Sequence, residues 1–495
     1  MRELSPAIIE YREIYQRRSA EELQLLAEIK RFVEYLTGDP DFREALAKND
    51  SNLKVVTDTY GLAVDAELLR PIFSMGLKHY RFENSDPRWP LAQLWDQFIS
   101  EKLKHRDSLC ALADSKGVNP RYDAWRQRQI MRCAGELGSQ NSSIVHSLVS
   151  YELSRGCTVG CWFCGISADK FAGALPYNNE TDQLWRGVLE AMVRRFGAAT
   201  QSGFCYWATD PCDNPDYPSF IQTHYEVTGM LPQTTTAIPL KNVELTRRVL
   251  AISQQTPCIT NRFSILTKSI LHRVLAEFTP IELLNVELVM QQKEALTSKS
   301  ISGRALDRVT TNRLKGRDDK ISLLPSEPST IACVSGFLVN LLERKVRLAT
   351  PTRSSERWPD GYRVYEEGYF ETAEDFGRLI DDMIARHMPE GLAEEDIVGF
   401  RPDLTVSCTE HGFVAETKYL RRTYDHHKFG RQLGLMIQSG NRTMSEIVHH
   451  LAGSGEHLFD IHCELQRLFD SGLLSDELTH GDLNRNKETS DLQVH

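Results

Sequence analysis

No uninterrupted apolar run in the 495-residue chain is long enough to span a bilayer. The first residues, Met1 to Pro6, lack the apolar core of a secretory signal. There is no basic surplus either. Lys and Arg number 58 against 68 Asp and Glu, for a net charge of −10, which excludes bulk attraction to nucleic acid. The 11 cysteines do not form the framework of a small disulfide-stapled domain, so the expected compartment is the reducing cytoplasm. Hydrophobic content of 41% and charged content of 25% are ordinary for a globular protein. The length predicts two to four domains, at roughly 150 residues each.

Three of the cysteines stand close together. Cys157, Cys161 and Cys164 form a C-x3-C-x2-C run, with Phe163 just before the last. A structural zinc site needs four closed ligands, usually in paired C-x2-C units. No Cys or His follows Cys164 within the next twenty residues. Three thiolates can instead hold three irons of a [4Fe–4S] cluster and leave the fourth open. The stretch before them, residues 146–154, reads as a short strand running into the cysteine loop.

This spacing, with an aromatic before the third Cys, resembles the signature of the radical S-adenosylmethionine (SAM) superfamily. The resemblance implies a [4Fe–4S] cluster held by Cys157, Cys161 and Cys164, with SAM chelated at the open iron. Reductive cleavage of SAM then yields a 5′-deoxyadenosyl radical, the cofactor carrying the hard chemistry. It also implies an α/β fold, a partial (β/α)6 barrel with the cluster loop at the C-terminal face of the first strand.

Along the chain, residues 1–75 read as helical. Ala20 to Leu36 has helical apolar spacing, interrupted at Gly38, Asp39 and Pro40, and a second helix begins at Asp41. The pattern Phe32…Leu36, Asp39-Pro40, Phe42-Arg43-Glu44, Leu46…Gly61-Leu62, Val64-Asp65, Glu67-Leu68 resembles Nif11-type leader peptides of ribosomally made natural products. A plain helical cap accounts for it equally, and both readings stand. Residues 76–140 are a helical connector with Trp89, Trp95 and Trp125 as packing anchors. Residues 141–375 alternate strand-like and helical runs. The expected strands are Ser147–Leu153, Gly203–Ala208, Thr234–Ile238, Arg262–Leu266, Leu283–Val289, Thr330–Val334 and Val346–Ala349. Residues 398–478 change character. A hairpin of Leu404–Cys408 and Gly412–Glu416 is followed by three helices near 427–438, 443–451 and 457–471. Thr443 and Glu446 form a capping box. The segment has the signature of a winged-helix domain and resembles the RiPP recognition element, which binds leader peptides by adding a strand to its sheet edge. Its charge favours a peptide over a duplex. Residues 480–495 are polar and expected to be disordered.

A radical-generating barrel with a recognition element implies a precursor peptide as substrate and an external electron donor of flavodoxin or ferredoxin type. Cys110, Cys133, Cys205, Cys212, Cys258, Cys333, Cys408 and Cys463 are scattered, with no second C-x2-C or C-x3-C pair. That argues against an auxiliary cluster and for a reaction with no net oxidation. The arrangement resembles the radical SAM peptide epimerases of proteusin-type RiPP pathways, which turn L- into D-residues by Cα hydrogen abstraction and hydrogen return from a Cys thiol. Such a thiol should stay protonated. Cys333 is the chosen donor, on an expected strand that Ser335 and Gly336 would end near the catalytic face. Cys205 and Cys212 are its rivals, and a buried core Cys is the plain alternative. Cys408 and Cys463 are expected to be structural. Thr209 and Asp210 are SAM contacts by position, since the usual Gly-Gly-Glu is absent. Thr267, Lys268 and Ser269 would reach the SAM ribose or carboxylate. The alternative functions are peptide thioether or carbon–carbon cross-linking, and an Fe–S winged-helix regulator.

Overall fold

A computed structural model describes residues 6–81, 87–256, 258, 260–292, 295–296, 300–314 and 327–476. The tail expected at 480–495 lies outside them. The chain opens with helices α1 (Pro6–Gln16), α2 (Ala20–Gly38), α3 (Pro40–Lys48), α4 (Lys54–Thr59) and the single turn α5 (Arg70–Phe73). Helix α2 starts where Ser19 accepts the Glu22 N–H at 3.2 Å, with Glu21 and Glu22 in its first turn. Asp39 ends α2, and its carboxylate accepts the Asp41 N–H at 2.9 Å to begin α3 at Pro40. The punctuation at Gly38-Asp39-Pro40 therefore marks the break expected from sequence. Two long helices follow, α6 (Pro90–Leu112) and α7 (Pro120–Leu137). Trp95 and Trp125 are buried, while Trp89 is half-exposed.

The middle of the chain is mixed α/β. Its order is β1 (Ser147–Glu152), β2 (Ser154–Arg155), β3 (Gly173–Ala174), α8 (Asn179–Phe196), α9 (Tyr217–Thr228), β4 (Thr235–Thr236), α10 (Val243–Gln255) and β5 (Asn261–Ile265). Then come α11 (Lys268–Glu277), β6 (Val286–Met290), α12 (Gly303–Leu314), β7 (Val334–Asn340), β8 (Lys345–Pro351), β9 (Tyr362–Tyr369) and α13 (Ala373–His387). Strands β4, β5 and β6 form one parallel sheet. In a second sheet β1 pairs parallel with β7, and β8 and β9 continue antiparallel from it. With the small pair β2–β3, the described strands of this region thus form three sheets rather than one barrel sheet running in sequence order.

The expected strand Gly203–Ala208 is reduced to a single bridge between Ser150 and Phe204. The cause lies in the side chains of β1. Ser150 donates its hydroxyl to the Tyr206 carbonyl, and Glu152 accepts the Ala208 N–H at 2.8 Å, taking backbone groups a ladder would use. The expected strand Thr330–Val334 is displaced: β7 begins at Val334 and runs through Gly336. There φ is +155°, and a Cβ would lie 2.0 Å from the Leu148 carbonyl oxygen, so only glycine permits this approach of β7 to β1.

The N-terminal helices are not a separate cap. Leu26, Ile29, Phe32, Phe42 and Leu69 share one apolar core with Phe263, Ile265, Leu271, Val286, Leu288 and Met290. They supply the outer layer over β5 and β6. The region that resembles a leader is thereby built into the α/β core.

The C-terminal part contains β10 (Ile397–Val398), β11 (Thr405–Cys408), β12 (Gly412–Glu416), β13 (Arg421–Asp425), α14 (Gly430–Ser439), β14 (Arg442–Thr443), α15 (Met444–Gly453) and α16 (Leu458–Asp470). The expected hairpin gains a third strand, β13, at the sheet edge. Three helices follow near the expected ranges, and the Thr443/Glu446 capping box is present. This unit sits on α7: Thr417 donates to the Gly135 carbonyl at 2.7 Å, and Arg128 lies 4.2 Å over the Phe469 ring. No described helix is long and apolar enough to cross a membrane.

Candidate functional site

The cysteine loop leaves the C-terminal end of β1. Gly156 precedes it at φ +70°, where a Cβ would meet the Lys170 carbonyl oxygen at 2.2 Å. Glycine thus lets the loop fold back on itself, and the Cys157 N–H donates to the Asp169 carbonyl at 2.9 Å. A second strap comes from the start of α12. The Arg304 N–H donates to the Cys164 carbonyl at 3.0 Å, and the Ser302 hydroxyl to the Gly165 carbonyl at 2.8 Å. A third comes from Asp213. Its buried carboxylate accepts the Thr158 N–H at 2.8 Å, the Thr158 hydroxyl at 2.6 Å and the Lys241 ammonium at 2.8 Å.

All three thiols are half-buried. Burial pushes Cys157 up to about 11. Burial and the neighbouring Cys157 and Cys164 push Cys161 up to about 12. Backbone N–H groups of Val159 and Ala168 point at the sulfurs of Cys157 and Cys164, at 3.4 and 3.3 Å. Among the described residues, no three His, Cys, Asp or Glu side chains are grouped closely enough to hold one metal ion. Cys161 thus feels the other two thiols of the loop, and the sulfurs of Cys157 and Cys164 each face a backbone N–H.

Asp210 lies beside this loop and raises Cys157 and Cys161. Its own carboxyl is pushed up to about 6 by burial, against N–H and hydroxyl donors that pull it down. It accepts the Thr236 hydroxyl and the Ala237 N–H, each at 2.7 Å, and the Cys212 N–H at 3.0 Å. Asp210 therefore ties the loop after residue 208 to the end of β4. Thr209 is half-buried next to it. Thr267, Lys268 and Ser269 are otherwise engaged or exposed. Thr267 caps α11 by accepting the Ile270 N–H at 3.1 Å, Lys268 pairs with Asp41 at 2.5 Å, and Ser269 faces solvent.

Cys333 is at the entry of β7, not near its end, and its carbonyl accepts the Ser147 N–H at 2.9 Å. The premise that Ser335 and Gly336 end the strand near the catalytic face is therefore corrected. Cys333 and Ile166, two residues after Cys164, nevertheless both pack against the small cluster that contains Phe204 and Trp207. Its neighbour Ile331 lies against Gly165. Burial pushes the Cys333 thiol up to about 11, with Arg262 pulling the other way. The rivals face elsewhere. Cys205 belongs to the core beneath α8 and α9, and Cys212 is buried and pushed up to about 12 by burial and by Asp210. Cys463 is exposed and Cys408 half-buried.

Sequence reading missed Asp213, Lys241 and Glu152 as site residues. Asp213 stands in the same Asp-Pro-Cys-Asp-Asn-Pro turn as Asp210. Its partner Thr158 follows the first cysteine, which is the signal that links the two.

No protein-family model matches the chain. Over 469 residues it is 40% identical to the uncharacterized protein y4wI of Sinorhizobium fredii, covering 94% of this chain and 91% of that protein. Among solved structures, BtrN in complex with AdoMet and 2-DOIA aligns at 13% identity over 48% of this chain and 81% of that one, with a TM-score of 0.29. Similarity at that score carries no argument about fold or chemistry.

Proposed function

The chain belongs to the family of the Sinorhizobium fredii protein y4wI, and from that premise we propose that it is a radical SAM enzyme that epimerises residues of a ribosomally made peptide. One observation carries the reading. The Cys157–Cys164 loop leaves the C-terminal end of a parallel strand, and Ile166, two residues beyond it, packs against the same small cluster as Cys333, which enters β7 beside the start of β1. When bound, a [4Fe–4S] cluster on Cys157, Cys161 and Cys164 with SAM would supply a carbon-centred radical able to remove a Cα hydrogen. The chain's own residues hold and complete the site. Asp213 and Thr158 fix the first turn of the loop, and Ser302 and Arg304 fix the last. Asp210 holds the segment that faces the loop from the other side.

Cys333 suits the return step because its raised pKa keeps the hydrogen on sulfur at neutral pH. The S–H bond breaks, a Cα–H bond forms on the opposite face of the peptide residue, and the sulfur is left as a thiyl. An external one-electron donor and a proton restore the thiol. The peptide is neither oxidised nor reduced overall. The C-terminal unit supports a peptide substrate. β13 is an edge strand, with Arg467 lying 4.6 Å over the ring of its own Tyr424, and an extended segment can add there by backbone pairing.

The test is anaerobic reconstitution with iron and sulfide, followed by SAM and dithionite in deuterated water. Formation of 5′-deoxyadenosine, lost together with bound iron in Cys157→Ser, supports the SAM chemistry. Peptides encoded beside the gene should gain one mass unit per site and yield D-residues on hydrolysis, and Cys333→Ala should abolish both. A loss of two mass units would replace epimerisation by cross-linking.

A further inference from the structure

A cavity of about 420 Å3 opens between the cysteine loop and the C-terminal ends of β1 and β7. Gly156 and the 166–169 turn wall it on the loop side, while Glu152, Asn340, Arg347 and Tyr362 face them. Arg347 lies on β8, opposite Leu338 of β7 and Glu367 of β9.

The charged groups around this cavity are not equivalent. Lys345 pairs with Glu367 at 2.6 Å, and Arg155 with Glu343 at 3.2 Å. Glu152 is buried and its oxygens are engaged, one by the Ala208 N–H at 2.8 Å and the other by the Asn340 amide at 3.4 Å. Arg347 is half-buried and has no carboxylate at ion-pair distance among the described residues. Its one hydrogen bond there is a 3.4 Å donation to the Tyr362 hydroxyl. A guanidinium presented to a cavity with its fork unfilled matches a planar anion that accepts two parallel N–H groups. Asp169, Glu343 and Asp360 line the cavity together with Glu152, and that acidic surround disfavours a dianion such as phosphate more than a single carboxylate.

We propose that Arg347 determines substrate specificity by taking a carboxylate, so that the peptide presents an acidic residue in the cavity beside the cysteine loop. This rests on the peptide-modifying reading above and narrows its substrate class. The carboxylate belongs to the peptide, and the methionine carboxylate of SAM is the competing source that the test must separate.

The probes are three tripeptides, acetyl-Gly-Glu-Gly-amide and its Gln and Lys counterparts, with binding to the full-length protein followed by ligand-observed NMR. Wild type should bind the Glu peptide at least tenfold more tightly than the Gln peptide. Arg347→Gln should remove that difference, Arg347→Glu should favour the Lys peptide, and Arg347→Lys should retain part of the original preference with an unchanged melting temperature. Equal binding of the Glu and Gln peptides by wild type overturns the proposal, as does a preference that persists in Arg347→Gln. Loss of SAM affinity in Arg347→Gln, with peptide discrimination intact, would assign the guanidinium to SAM and also overturn it. Failure of wild type to cleave SAM under dithionite would instead sink the enzymatic reading, and is read in a separate experiment.

Discussion

Glu136, on α7, binds more charge than any carboxylate of the candidate site. Its buried oxygens receive Arg132 at 2.7 Å, Arg363 at 2.8 Å and the Thr352 hydroxyl at 2.7 Å. Burial pushes its pKa up, but the two guanidiniums and the hydroxyl outweigh it and hold the carboxyl at about 2. The ordinary value is about 4.3. The folded state thus binds a proton less readily than the unfolded one. The resulting stability is fully present above the unfolded pKa and is lost as pH falls toward 2, an effect of roughly 3 kcal/mol. Glu136→Gln removes the buried carboxylate shared by Arg132 and Arg363 and should cost about 3–5 kcal/mol at neutral pH. Urea unfolding from pH 7 to pH 3 should then show a flatter acid limb than wild type. Unchanged neutral stability would mean that the guanidiniums find other partners. The pair was not legible in the sequence. Arg132 and Glu136 stand four apart on a helix, a spacing that reads as a solvated ion pair. Their burial comes from β8 and β9, which close over α7 from more than two hundred residues away.

At the scale of elements, local signals were legible where they were local. The break at Asp39-Pro40, the Thr443 capping box, the three C-terminal helices and the strand leading into Cys157 all follow from caps, prolines and periodicity. Strand partners did not. Gly336 read as a stop, whereas it sits inside β7 because β1 approaches there. β13 carries Arg421, Arg422 and Asp425 among its five residues and shows little apolar alternation, since as an edge strand it buries one residue, Tyr424. Tyr424 joins β13 to α16. Its ring stacks on Phe413 at 4.8 Å, and its hydroxyl donates to Glu464 at 2.6 Å. Tyr424→Phe removes one charge-assisted hydrogen bond and should cost about 1.5–3 kcal/mol. Tyr424→Ala also leaves a cavity and should cost about 3–5 kcal/mol. If β13 is the edge on which a peptide adds, Tyr424→Ala should weaken peptide binding at least tenfold, and Tyr424→Phe by much less. Titration of the two variants with a fluorescent leader peptide decides this, and equal affinities would move the docking edge away from β13.

For the whole molecule, the N-terminal seventy-five residues pose the sharpest question, because their sequence resembles a leader while their side chains are core. Leu26, Ile29, Phe32, Phe42, Leu46 and Leu69 are each 4% exposed or less. At roughly 2 kcal/mol for each such side chain, their burial is comparable to the whole net stability of a domain, about 5–15 kcal/mol. Removing residues 1–75 would also bare Phe263, Ile265 and Met290 on β5 and β6, and would strip Asp39 and Asp41 from Lys268 and His272. The truncated chain should therefore fail to fold, appearing as aggregate on size exclusion and without a cooperative thermal transition. A leader that merely docks behaves differently. The truncated chain would stay monomeric and folded, and a synthetic peptide of residues 20–75 would bind it in trans and be displaced by excess precursor. The same two experiments thus separate a helical layer integral to the fold from a regulatory segment that still exchanges. The continuous core of α2, α3, β5 and β6 argues for the first, because an exchanging segment would have to expose that core each time it left.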